Sequence, residues 1–205
     1  MATLSYSINP EKIVSEYMRA KPGEGIEKKS IQDRQLDGKV YCTSFDSRIG
    51  HIYIASTEKG LCKISIPKET KKDFFTWLEN HFEVDAVNDN KSRNKEYIDQ
   101  INRYLNGKLV EFTFAVDLIG TPFQLRVWKK LIQIPYGTTI TYSQLAKRVG
   151  VPKGFQAVGR ANGSNPLPIV IPCHRVIGAD GSLIGYSSGV KTKEFLLRLE
   201  GAIIL

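Results

Sequence analysis

Cysteine is scarce in this 205-residue chain, and long apolar runs are absent. The three cysteines, Cys42, Cys62 and Cys173, are an odd number without a CxxC spacing, which argues against a disulfide framework and a zinc finger. No apolar run approaches the roughly 20 residues that cross a bilayer, and the first residues lack the basic and apolar segments of a signal peptide. We therefore expect an intracellular protein, nuclear or cytoplasmic according to its source, without a metal site.

Acidic residues are scarce in the last 85 residues. From residue 121 onward the chain has 11 Lys and Arg against 3 Asp and Glu, whereas the first 120 residues have 18 of each kind. The whole formal net charge of +8 therefore lies in one segment. A basic surface can serve solubility alone, but an excess confined to one segment favours a polyanionic partner, nucleic acid first.

The first 119 residues are predicted to form a small α+β domain without a catalytic motif. Residues 1–36 are polar with glycine and proline, which is typical of a peripheral extension. The alternating runs KVYCTSFD, HIYIAST and LCKISIP, separated by short turns, predict an antiparallel meander. Helical patterns follow over residues 71–82 and 95–106, and residues 109–118 are predicted to form a further strand.

Residues 120–205 are predicted to form a mainly helical DNA-binding domain. TPFQLRVWKKLIQI has apolar residues at helical spacing, and ITYSQLAKRVG follows as a helix with Thr141 or Ser143 as N-cap and Gly150 at its end. FQAVGRANGSN then forms a second helix, so the basic half contains a helix-turn-helix pattern. Small residues such as Ala157 and Gly159 permit close approach to a minor groove or to the core of the protein, and spacing alone leaves both open.

Cys173 and His174 stand side by side within NPLPIVIPCHRVIGADGSLIGYSSG, residues 165–189. Apolar flanks around an ionisable pair indicate that the pair has hydrogen-bond partners, because an unpaired buried polar group is costly. A reactive thiol needs a nearby base, since free cysteine has a pKa of about 8.5. The alternative is an inert buried cysteine beside a histidine that caps a turn.

Three segments in unbroken order resemble the O6-alkylguanine-DNA alkyltransferases, the methylated-DNA–protein-cysteine methyltransferase family. They span residues 120–146, 157–178 and 181–201, and PCHRV with an upstream NP and a downstream GY is their most specific signature. The resemblance implies a winged-helix-like helix-turn-helix domain and a DNA repair protein. Such a protein flips O6-alkylguanine out of double-stranded DNA and moves the alkyl group irreversibly onto its own cysteine, once per molecule, as a monomer and without a cofactor.

The resemblance also implies roles for individual residues. Cys173 is the acceptor, His174 deprotonates it through a water, and Glu200 orients His174. Asn165 braces the active-site turn, while Tyr142 helps to rotate the target nucleotide and donates a proton to the leaving guanine. The residues expected to contact DNA or the base, or to support that contact, are Phe155, Gln156, Ala157, Gly159, Arg160, Arg175, Tyr186, Ser187, Ser188 and Lys193.

Two sites depart from the family pattern. Gln156 stands where the family usually has an arginine that takes the place of the extruded nucleotide. Because glutamine lacks the charge and planar stacking of a guanidinium, we expect weaker or slower flipping. Phe155 beside it is larger than the usual residue and offers an apolar wedge. Ser188 replaces a glycine in the GYSGG loop and is expected to narrow the base pocket.

Three other functions compete with alkyl transfer. The alkyltransferase-like proteins bind alkylated DNA but replace the cysteine, and Cys173 argues against that class. A helix-turn-helix regulator would require a defined DNA sequence and ignore guanine alkylation. A cysteine hydrolase built on Cys173, His174 and Glu200 would turn over esters beyond one equivalent.

Overall fold

The computed structural model describes residues 38–83, 87–183 and 189–203. The predicted peripheral extension, residues 1–36, lies outside these ranges. So do Tyr186, Ser187 and Ser188, which the sequence places in the base pocket. Within the three described ranges, no helix combines the length and the apolarity that a membrane crossing requires.

The first half is built on a four-stranded sheet. Strands β1 (Val40–Ser47), β2 (Gly50–Thr57) and β3 (Gly60–Ile64) form the predicted antiparallel meander, which is confirmed. A short strand β4 (Val87–Asp89) pairs parallel to β1, so the order is β3-β2-β1-β4 and the sheet is mixed, not purely antiparallel. Three residues are too few for a recognisable alternation, which is why the sequence did not indicate β4.

Two helices accompany this sheet, as predicted. Helix α1 (Lys71–Glu79) begins at a capping box between Thr70 and Asp73 and buries Phe74 and Leu78. Helix α2 (Lys95–Leu105) buries Ile98, Ile101, Tyr104 and Leu105 on one face. This apolar face is the reason that the helix packs inward.

The strand predicted over residues 109–118 is wrong. The segment makes only one isolated parallel bridge, between Leu61 and Val116. Gly60 allows this approach, since a Cβ there would lie 2.4 Å from the Ala115 carbonyl oxygen. Farther along β3 the Ile64 N–H bonds to Pro166 O at 2.9 Å and not to this segment, so the edge of β3 is partly occupied.

The second half is mainly helical, as predicted. Thr121 and Thr141 cap α3 (Pro122–Ile132) and α4 (Tyr142–Val149) through capping boxes, and Gly150 ends α4 with a φ of 82°. Helix α5 (Phe155–Gly163) follows α4 and packs on it, and α6 (Val190–Leu199) comes last. Strands β5 (Ile140–Thr141) and β6 (Val176–Ile177) form a short parallel pair.

One hydrophobic cluster joins the two halves. It contains Ile52 and Ile101 from the first half and Leu131 and Leu196 from the second, all fully buried. Trp128 lies in this cluster and donates its indole N–H to Ala161 O at 2.7 Å, which ties α3 to α5. The boundary near residue 119 stays a prediction; this cluster extends across it, while a second one, with Phe74 and Leu78, lies within the first half.

Candidate active site

Cys173 begins a 3-10 turn, Cys173–Arg175, at the end of a buried apolar segment. Cys173 is buried, with only 3% of its surface exposed. Asn165 fixes this segment: its Nδ2 donates to Ile171 O at 2.8 Å and to the Cys173 Sγ at 3.1 Å, and its Oδ1 accepts from Leu167 N at 3.0 Å. Ile169 lies between them with a φ of 76°, an unfavourable value for a β-branched residue. Asn165 thus holds both the strained turn and the thiol.

The carboxylate of Glu200, at the C-terminal end of α6, accepts several of the hydrogen bonds of the site. It accepts from His174 Nε2 at 2.8 Å, from Arg175 Nε at 2.9 Å and from Gly137 N at 3.1 Å. Arg175 also donates its Nη2 at 3.0 Å, and the Tyr104 hydroxyl donates to Oε1. A buried carboxylate with this many donors is satisfied as an anion.

Burial and hydrogen bonds have opposite effects on the pKa values of Glu200 and His174. Burial disfavours the Glu200 anion, but the hydrogen bonds from His174 and Arg175 outweigh it and lower the pKa of Glu200 to about 2. Burial lowers the pKa of His174 below its usual value, and the charges of Arg175 and Lys193 lower it further. The hydrogen bond to Glu200 and the Glu200 charge raise it, but less. At neutral pH the site therefore holds an anionic Glu200 and a neutral His174.

The neutral His174 ring leaves one nitrogen for base chemistry. Because Nε2 faces the Glu200 carboxylate, Nε2 carries the proton and Nδ1 has a lone pair. Nδ1 is buried and has no hydrogen-bond partner within the described part of the chain. A buried acceptor of this kind is suited to take a proton from a neighbouring thiol.

Tyr142, the first residue of α4, lies near the thiol from another side. Burial raises the pKa of Tyr142, the Cys173 charge raises it further, and a hydrogen bond from Asn162 opposes both. The phenol is therefore a proton donor at neutral pH. A Cβ on Gly159 would lie 3.8 Å from the Tyr142 ring, so this small residue of α5 lies beside the site.

Two family models match almost all of the described chain. The 6-O-methylguanine DNA methyltransferase ribonuclease-like domain matches residues 40–118, and the DNA binding domain of the same family matches residues 122–202. The chain belongs to the 6-O-methylguanine DNA methyltransferase family.

Known members of this methyltransferase family cover most of the chain. The methylated-DNA–protein-cysteine methyltransferase of Methanosarcina barkeri is 44% identical over 163 residues, 78% of this chain and 97% of that relative. The Mycobacterium leprae protein of the same name is 42% identical over 78% of this chain and 92% of its own length. Mycobacterium tuberculosis OGT, solved in complex with DNA, superposes with a TM-score of 0.67 at 39% identity, covering 78% of this chain and 92% of that chain.

Arg175, expected to contact DNA, is instead an internal support, and Lys193 lies inside the protein as a side chain expected to support the site. Arg175 is 7% exposed, and besides Glu200 its guanidinium donates to Ile134 O at 2.5 Å. Lys193 is fully buried, and its Nζ donates to Val176 O at 2.6 Å. Burial lowers the pKa of Lys193 to about 8, although the Cys173 charge opposes this. The structure therefore corrects the assignment of Arg175 to a DNA-contacting surface, whereas the buried position of Lys193 agrees with a supporting role.

The other residues that are expected to contact DNA, and that the structure describes, lie on α5. Phe155 is 51% exposed, Gln156 and Arg160 are exposed, and Ala157 and Gly159 are half-buried. The opposite side of the helix buries Val158, Ala161 and Asn162. Ala161 therefore packs inward, whereas Ala157 and Gly159 are only half-buried, and their contact with DNA stays a prediction.

Three polar contributors to the site carry no signal in the sequence. Tyr104 belongs to the apolar stripe of α2, so its pattern is that of a core residue. Gly137 contributes only its backbone N–H. Asn162 donates its Nδ2 to Cys173 O at 3.4 Å, and its closeness to Asn165 in sequence is the one available hint. Among the described residues no group of three or more His, Cys, Asp or Glu side chains is placed to hold a metal ion.

Proposed function

We propose that this protein repairs DNA by direct reversal, moving the alkyl group of O6-alkylguanine in double-stranded DNA onto Cys173. The observation that carries the proposal is the buried dyad beside the thiol, in which Glu200 holds His174 at 2.8 Å and leaves Nδ1 with a lone pair. A nucleophile, a base and an orienting carboxylate are the arrangement that activates a thiol. Membership in the methyltransferase family supports the same reaction.

The reaction follows from these side chains. His174 takes the proton of the Cys173 thiol through one water, because neighbouring residues in a tight turn do not face each other directly. The thiolate attacks the alkyl carbon, so a sulfur–carbon bond forms as the carbon–O6 bond breaks. Tyr142, held protonated by burial and by the Cys173 charge, supplies a proton to the leaving guanine. The product is a thioether, which explains why each molecule acts once and needs no cofactor.

The exposed face of α5 provides the DNA contact in this proposal. An alkyl group on O6 is stacked inside the duplex, so the nucleotide must leave the helix, at a cost of roughly a few kcal/mol. Phe155 and Gln156 stand at the start of α5 with their side chains exposed, where they can occupy the space that the nucleotide leaves. Arg160 on the same helix is placed to contact phosphate. The protein acts as a monomer in the compartment that holds the DNA.

Intact mass after mixing with a duplex that carries O6-methylguanine tests this function. We expect a gain of one methyl group per protein, which stops at one equivalent. Binding of the damaged duplex without any mass gain would indicate a damage sensor and contradict the proposal. Binding that depends on DNA sequence and ignores methylation would favour a regulator, and ester turnover beyond one equivalent would favour a hydrolase.

Gln156→Arg is expected to speed alkyl transfer. A guanidinium stacks on the neighbouring base pairs and adds a charge, so we expect the single-turnover rate constant to rise roughly fivefold. The matched control is Gln133→Arg, which adds the same charge at the exposed end of α3 and is expected to leave the rate unchanged. An equal gain in both variants would assign the effect to net charge, and no gain in Gln156→Arg would remove the hypothesis of slow flipping.

A further inference from the structure

Glu200 is held by a side chain from the first half of the protein as well as by its own domain. The Tyr104 hydroxyl of α2 donates to Glu200 Oε1, the oxygen that also accepts from His174 Nε2 at 2.8 Å. The same hydroxyl oxygen lies 3.5 Å from His174 Nε2. Tyr104 thus contacts both members of the pair that activates Cys173, although 70 and 96 positions separate it from them.

Packing fixes the Tyr104 ring and leaves it little freedom to move. The residue is fully buried, with its ring centroid 5.2 Å from that of Phe112 and 6.1 Å from that of Tyr136, the latter edge-on. Burial raises the pKa of Tyr104, and the Glu200 charge raises it further. The hydroxyl therefore stays protonated and has one proton to give, which goes to Glu200.

This donor acts together with Arg175 in orienting the carboxylate toward the histidine. Arg175 Nε and Gly137 N hold the Oε2 oxygen at 2.9 and 3.1 Å, and Arg175 Nη2 reaches Oε1 at 3.0 Å. Tyr104 adds a donor at Oε1, so Oε1 is held in front of His174 Nε2 by two side chains. With Oε1 fixed, the His174 ring keeps its proton on Nε2 and its lone pair on Nδ1, the nitrogen that the reaction uses.

We infer that Tyr104 is a positioning residue for alkyl transfer. The first half of the protein, which the family describes as the ribonuclease-like domain, supplies the hydroxyl that fixes Glu200 and thereby the tautomer of His174. The inference rests on the proposed function. Its consequence is that full reactivity of Cys173 requires α2 to be packed against the second half.

Tyr104→Phe tests this inference in the full-length chain. Phenylalanine keeps the ring contacts with Phe112 and Tyr136 and removes only the hydroxyl. We expect the single-turnover transfer rate to fall about tenfold with an unchanged Kd for the methylated duplex, because orientation and not DNA contact is lost. The 15N signals of the His174 ring, resolved among the three histidines of the chain, should change from one Nε2–H tautomer toward a mixture.

The matched control is Tyr97→Phe on the same helix. The Tyr97 ring packs on Phe114 at 4.9 Å, away from Glu200, so its rate and its His174 signals should match those of the parent. Parental rate and parental His174 signals in Tyr104→Phe would overturn the inference. So would a slower reaction with unchanged His174 signals, or a loss explained entirely by weaker DNA binding. If the parent itself accepts no methyl group, the proposed function fails, while the His174 signals still decide whether Tyr104 sets the tautomer.

Discussion

Cys173→Ser is expected to abolish methyl transfer from O6-methylguanine DNA while leaving binding of the damaged duplex intact. Serine preserves the size of the side chain and can accept the hydrogen bond that Asn165 Nδ2 now makes to the Cys173 Sγ at 3.1 Å. Its hydroxyl is far harder to deprotonate than a thiol, so a neutral His174 cannot generate the nucleophile. Intact mass after reaction should show no added methyl group at any duplex concentration.

Cys42→Ser is the matched control for this experiment. Burial raises the pKa of Cys42, and the Asp89 charge adds to it, so this thiol stays protonated and is a poor nucleophile. Cys62 is deeper still, with its pKa raised by burial, and its thiol donates to Ala55 O at 3.2 Å. Cys42→Ser should therefore gain one methyl group as the parent does. Methyl transfer to Cys173→Ser would identify a different acceptor and contradict the mechanism.

Glu200→Gln is expected to impair both stability and reactivity. The amide keeps the volume of the side chain but leaves the buried Arg175 guanidinium without its counter-charge, and breaking a buried pair in this way costs about 3–5 kcal/mol. The His174 ring loses the acceptor that fixes its tautomer, so the transfer rate should fall about 100-fold. Denaturant unfolding and single-turnover kinetics measure the two effects separately.

Glu194→Gln on the same helix provides the comparison. Glu194 pairs with Arg198 at 2.7 Å, but both side chains are partly exposed, so removing this surface pair should change stability by less than about 1 kcal/mol. A similar loss in both variants would contradict the special position of Glu200. Transfer at the parental rate in Glu200→Gln would remove this carboxylate from the mechanism.

The stability contributed by Glu200 should also depend on pH. The pKa of Glu200 is lowered in the folded state from its ordinary 4.5 to about 2, so its anion stabilises the fold fully above pH 4.5. This contribution is lost as the pH falls toward 2. The difference in unfolding free energy between the parent and Glu200→Gln should therefore shrink across that interval.

Local patterns were sufficient for most of the elements and for the reactive residues. The meander and α1 to α5 follow from alternation and helical spacing, and the ends of α4 follow from Thr141 and Gly150; these signals act over a few neighbouring positions. Cys173 and His174 were identified because an ionisable pair inside apolar sequence requires partners. The segment of residues 109–118 has the same kind of alternation, yet it forms no strand, because the edge of β3 that it approaches is partly occupied by Pro166.

The sequence by itself determined the family and most of the elements, and it singled out Cys173 with His174 and Glu200 as the candidate reactive residues. Only the tertiary structure decided which cations face inward. In the sequence Arg175 and Lys193 are two more charges of a basic segment, but both are buried, with Arg175 donating to Glu200 and Lys193 donating to Val176 O. It also decided that Tyr104, a core residue by its pattern, donates to the Glu200 carboxylate. The physical reason is that burial and long-range hydrogen bonds depend on how distant elements pack, and packing leaves no mark in local spacing.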